Sequence, residues 1–171
     1  MNEPESASPS LLAIHAHLVE EGFRPSFNDE GEIAFKFQGR HFYISQDESD
    51  PEFYRILCPG IWKIESEEER AVVFIAASDT CKGMKVAKVF VVDDEAWASV
   101  ELFCPEVGAF LKLFERSTSL LYETGNVFRR NYHTVIHEET CDHDHSETED
   151  DHETDEGDET PGAPDGEEPH H

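Results

Sequence analysis

Four cysteines, ten histidines and 39 carboxylates are the side chains of this 171-residue chain with the widest chemical range. Their spacing narrows that range. Cys58, Cys81, Cys104 and Cys141 lie far apart and form no CxxC pair, so neither a zinc ribbon nor a thioredoxin-like redox site is predicted. Cys58, Cys81 and Cys104 fall at the ends of expected elements and read as small, buried or half-buried residues. Lys82 and Lys85 follow Cys81, and nearby cations lower a thiol pKa, but no neighbouring histidine supports it as a nucleophile. The candidate metal ligands are Cys141, His143 and His145 in the run CDHDH. Thiolate and imidazole suit zinc, nickel or copper, and an extended chain puts residues two apart on one side. A flexible segment loses entropy on closing round a metal and brings no outer ligands to hold the inner ones. These three residues therefore stand as candidates for weak binding, and no cofactor is expected.

The carboxylates say less. Asp93-Asp94-Glu95, Glu67-Glu68-Glu69 and Asp47-Glu48 are adjacent pairs and triplets in a chain with 39 acids, where adjacency carries almost no information. The first reads as a hairpin turn and the second as a helix start. No EF-hand loop, phosphate loop, GxSxG, HExxH or GxGxxG occurs, and no catalytic residue is predicted.

Charge bounds the partners. Thirteen Lys and Arg stand against those 39 acids, for a net charge of −26. Phosphate backbones and anionic bilayers are bound with Lys and Arg, so neither nucleic acid nor a membrane surface is expected. No run of about 18 apolar residues exists, and the acidic opening MNEPESASPS does not read as a secretory signal. The expected location is the cytoplasm. Hydrophobic residues make up 37%, below the roughly 45–50% of ordinary globular chains. The shortfall sits at the end: residues 138–171 hold 16 acids and no Lys or Arg, leaving a net of −10 in residues 1–137. With no large apolar residue from Cys141 onward, that stretch has nothing to bury against the entropy of ordering. The expected division is a flexible leader over 1–9, one folded domain over 10–132 and a disordered acidic tail over 133–171.

Within the domain the patterns alternate between helix and strand. Ser10 is placed to cap a helix carrying Leu11, Leu12, Ile14, Leu18 and Val19, stopped by Gly22. Ile33, Phe35 and Phe37 alternate with polar residues at the strand period, and Gln38-Gly39-Arg40 turns the chain back into Phe42-Tyr43-Ile44. Phe53–Cys58 reads as a third strand ended by Pro59-Gly60. Ser66 with Glu69 forms a capping box for a helix running to about Cys81, with Lys82 and Gly83 closing it. Two strands, Lys85–Val92 and Ala96–Phe103, join at Asp93-Asp94-Glu95. Pro105 then opens a last helix bearing Val107, Phe110, Leu111, Phe114, Leu120 and Leu121. The order α-βββ-α-ββ-α defines an α+β domain with helices packed on a twisted antiparallel sheet. His41, Tyr43 and Ser45 alternate with Phe42 and Ile44, so one face of that sheet reads as mixed and open to a partner.

The stretch VEEGFRPSFNDEGEIAFKFQGRHFYISQDESDPEFYRILCPGIW resembles the YbjN family, small bacterial proteins with a fold like that of type III secretion chaperones. The likeness lies in the first helix ending in Glu-Gly-Phe, the DEGEIAFKF strand and the DPEF segment before Trp62, and continues through KVAKVFVVDD. The resemblance implies a homodimer that holds or regulates another protein, without catalytic residues to carry over. The expected function is thus a non-catalytic, chaperone-like or regulatory module that binds a partner protein. The alternative is a metal buffer working through Cys141, His143 and His145.

Overall fold

The computed structural model describes residues 7–142. The first helix, α1 (Pro9–Glu20), begins two residues earlier than expected: Ser8, not Ser10, is the cap, its Oγ accepting from the amide of Leu11 at 3.2 Å. Pro9 explains the shift, because a proline's fixed φ and missing N–H suit the first helical position. Leu11, Ile14 and Leu18 face inward, and Gly22, at φ +86°, stops the helix.

Six strands follow: β1 (Ser26–Phe27), β2 (Ile33–Phe37), β3 (Arg40–Gln46), β4 (Phe53–Lys63), β5 (Ala87–Val92) and β6 (Glu95–Phe103). They form one antiparallel sheet in the order β1-β2-β3-β4-β6-β5. Gln38 and Gly39 both take positive φ, 47° and 82°, the geometry a two-residue hairpin turn demands. Asn28 shapes the preceding turn by accepting with Oδ1 from the amides of Glu30 and Glu32.

Pro59-Gly60 does not end β4. The strand bulges there and runs on to Lys63, its pairing with β6 resuming at Trp62↔Ala96. The ladder with β3 does stop, its last pair being Tyr43↔Leu57. Proline offers no N–H, and Gly60 at φ +60° redirects the backbone. The dipeptide therefore parts β4 from β3 without parting it from β6.

Helix α2 (Glu67–Gly83) starts at Ser66, whose Oγ accepts from the amide of Glu69 at 3.1 Å. Glu69 reaches back to the amide of Glu65, one residue beyond the cap amide that the usual capping box engages. The last helix, α3 (Val107–Asp142), spans 36 residues. It passes through position 132, expected as the domain's end, with Val135 still buried. The helix thus continues past the expected end of the domain: Tyr132 and Val135 continue the apolar stripe and hold it to the sheet's far end. Residues 143–171 lie outside the described residues.

The core lies between the helices and one sheet face. Ile33, Ile44, Ile56, Val100 and Ala87 form a buried row across five strands. Phe110 of α3 stacks on Tyr54 at 4.8 Å, and Phe114 meets Phe35 and Phe23 at 5.5 and 5.9 Å. Farther along α3, Tyr132 lies 4.2 Å from the Trp62 ring.

Candidate protein-docking face and the cleft at its rim

Because successive strand residues face opposite ways, burying Phe42, Ile44, Ile56 and Val100 turns His41, Tyr43, Leu57 and Ser99 to the other side. Ala34, Tyr43, Leu57, Ser99 and Lys88 are cross-strand neighbours in one row of that face. Trp97 and Phe90 form the next pair. Phe103 is 75% exposed and packs edge-on against Phe53 at 5.4 Å. In the middle, Glu101 accepts from Arg55 at 3.3 Å and from Lys88, so one carboxylate balances cations from two neighbouring strands. The face is a surface of half-exposed aromatic and aliphatic side chains with an ion-paired polar centre.

A hollow of about 530 Å³ sits on this face. Tyr43, Leu57, Pro59 and Trp97 line it, and Asp29, Glu30 and Glu32 from the β1–β2 turn stand at one edge. Apolar floor and acidic edge together favour an apolar anchor flanked by Lys or Arg.

A second cleft, of about 480 Å³, opens where β3 and β4 part, lined by Arg40, His41, Tyr43, Pro59, Gly60, Glu95 and Arg129. The Arg40 guanidinium lies 4.9 Å over the Tyr122 ring and donates from Nη2 to Asn126 Oδ1 at 3.3 Å. It rests against Gly125, where a Cβ would come within 2.1 Å of Nη1. A glycine in the middle of a helix costs about 1 kcal/mol relative to alanine, and this close approach accounts for it. A glycine inside this helix is a sequence signal that could have pointed to the cleft. Beside it lies Cys58, whose thiol burial pushes up in pKa, opposed by the charge and hydrogen bonding of Arg40 and then by the charge of Arg129.

The other cysteines have structural work. Cys81 Sγ accepts from the amide of Val89 at 3.1 Å, capping the outer side of edge strand β5. Burial raises the Cys104 thiol. Of the candidate metal ligands, the Cys141 side chain, His143 and His145 lie outside what the structure describes. No group of three or more His, Cys, Asp or Glu side chains that could hold a metal occurs among the described residues.

Asp93 and Asp94 form the expected turn, tied to α2 by Arg70, which donates to Asp93 O at 2.9 Å and to Asp94 Oδ1 at 2.7 Å. Glu69, expected only as a cap, is a hub. It accepts from the Glu65 amide, from Trp62 Nε1 at 2.8 Å and from the Tyr132 hydroxyl at 2.9 Å. Those bonds hold its carboxyl below the usual range, the Glu65 amide contributing most. Burial, then the bond to Glu69 and its charge, push the Tyr132 hydroxyl up to about 12.

No family model matches the chain, and no curated protein does. Solved structures do. The chain has the fold of YbjN from E. coli, a protein described as a candidate transcription regulator. The two share 13% identity and a TM-score of 0.55 over 75% of this chain and 96% of that one. An uncharacterized protein from Methanothermobacter thermautotrophicus aligns at 10% identity and TM-score 0.43, over 72% and 99% of the two chains. The α+β class and the expected likeness to YbjN hold. No helix among the described residues is long and apolar enough to cross a membrane.

Proposed function

We propose that this chain is a non-catalytic binding module that takes a partner protein on the uncovered face of its sheet. The observation that carries this reading is the aromatic and aliphatic surface of Tyr43, Leu57, Trp97 and Phe90, over which no helix of the described residues packs. Contiguous apolar surface of this kind marks interaction sites. The acidic edge at Asp29, Glu30 and Glu32, on a chain of net charge −26, selects a partner segment whose apolar anchor is flanked by cations. The regulatory description of YbjN accords with such a role.

The chain works as a homodimer in the same reading. Phe74 and Ile75, 55% and 47% exposed on the outer side of α2, offer a second copy an apolar patch away from the sheet face. Cytoplasmic location follows from the same proposal.

The test is quantitative affinity capture from lysate with the full chain and with a Leu57→Lys/Phe90→Lys variant. A protein retained by the wild type and lost with the variant supports the reading. Identical retention by both would sink it, provided circular dichroism shows the variant folded.

A further inference from the structure

The cleft between β3 and β4 holds a cation whose surroundings in this chain are incomplete. Arg40 shares its strand side with Phe42 and Ile44, so its side chain enters on the core side of the sheet. Its Nη1 is shielded from solvent and meets no acceptor among the described residues. Its Nη2 has one long bond to a neutral amide, and the Cys58 thiol beside it is a weak acceptor. Removing a guanidinium from water is costly unless a counter-charge or full hydrogen bonding replaces the lost hydration.

Another element brings a second guanidinium to the same cleft, Arg129 from α3, while His41 and Tyr43, on the opposite side of β3 from Arg40, line it from the other face. Glu95 is the acid on the wall. Its Oε2 accepts from Trp97 Nε1 at 2.9 Å, and it makes no ion pair within 4.0 Å among the described residues. The cleft is therefore locally positive on a strongly negative protein. Its forked donors match the oxygens of a carboxylate or phosphate.

We propose that this cleft binds an oxyanion group, a phosphate or a carboxylate, between Arg40 and Arg129. The site is independent of the docking reading, since anion binding is measured on the isolated protein. The net charge of −26 repels anions at long range, so binding here depends on direct contacts.

The experiment is an NMR titration of the full ¹⁵N-labelled chain with inorganic phosphate and, separately, acetate, at constant ionic strength. Saturable shifts are expected at the Nε–H signals of Arg40 and Arg129 and at the amides of His41 and Gly60. Arg129→Gln, at an exposed position that leaves the core intact, should weaken binding about tenfold or more, as loss of a charge-assisted bond does. Arg130→Gln, its neighbour paired with Glu123 at 2.9 Å, should leave binding unchanged. Saturation by phosphate alone assigns a phosphate source, and saturation by acetate alone a carboxylate source; either supports the site. Linear shifts spread over surface cations, or equal binding by Arg129→Gln, would overturn it.

Discussion

Replacing Tyr132 with Phe removes one oxygen from the hub that ties α3 to the start of α2. The ring keeps its contact with Trp62, 4.2 Å between centroids, so the change isolates the bond from the hydroxyl to Glu69 at 2.9 Å. The rise of the hydroxyl pKa from 10.0 to about 12, owed first to burial and then to the bond with Glu69 and its charge, corresponds to about 2.7 kcal/mol in all, of which the bond carries only a part. Water around the half-exposed Glu69 screens the pair and cuts that to about 1 kcal/mol, in line with a single hydrogen bond. A raised folded-state pKa stabilises fully below the unfolded value, here 10.0, and the contribution is lost as pH climbs through about 12. Urea unfolding of wild type and Tyr132→Phe at intervals from pH 7 to 11.5 should show a gap of about 1 kcal/mol that holds to about pH 9 and then narrows. Other alkaline titrations, the buried thiols included, are common to both proteins and cancel in the difference. A gap that is absent at pH 7, or that stays constant through pH 11.5, would refute the assignment. At the acid end the sign reverses for Glu69: its depressed pKa stabilises above the unfolded carboxyl value and is lost as pH falls through the folded one.

Ile56, fully buried in the row that crosses β4, should cost about 2–5 kcal/mol when cut to Ala; chemical denaturation would measure it, and a loss under 1 kcal/mol would contradict the packing described. Gly125→Ala should gain about 1 kcal/mol of helix propensity. It should lose about as much when Arg40 leaves the Tyr122 ring, so stability changes by less than about 1 kcal/mol. The Arg40 Nε–H signal should nonetheless move in NMR spectra, and an unmoved signal would show that the guanidinium does not rest on Gly125. Light scattering of the full chain at micromolar concentration should return the mass of two chains, falling to one with Ile75→Lys. A monomer throughout would remove the dimer from the account.

What was legible in the sequence was local. Alternation in Ile33–Phe37, the turn at Gln38-Gly39 and the Ser66 cap each depend on residues within a few positions, and the structure has them where the pattern put them. Departures came where distant partners decide. Pro59-Gly60 reads as a stop because proline breaks a ladder, yet β6 holds the strand beyond it while β3 lets go. The reach of α3 past position 132 depends on Trp62 and on the sheet's far end, which no window around residues 133–142 contains. The open face was visible in His41, Tyr43 and Ser45, but its apolar floor joins Leu57, Trp97 and Phe90 from three other strands. The rim cleft assembles Arg40, Gly60, Glu95 and Arg129 from four elements, which no local pattern brings together.

The most direct test of the docking face is site-specific photo-crosslinking in cells. A benzoylphenylalanine at position 90 probes the β5 side of the open face, and one at the exposed position 112 of α3 serves as the control on the helix side. The account predicts a discrete crosslinked partner from position 90 that is missing from position 112. The same products from both positions, or a discrete partner from position 112 alone, would contradict it.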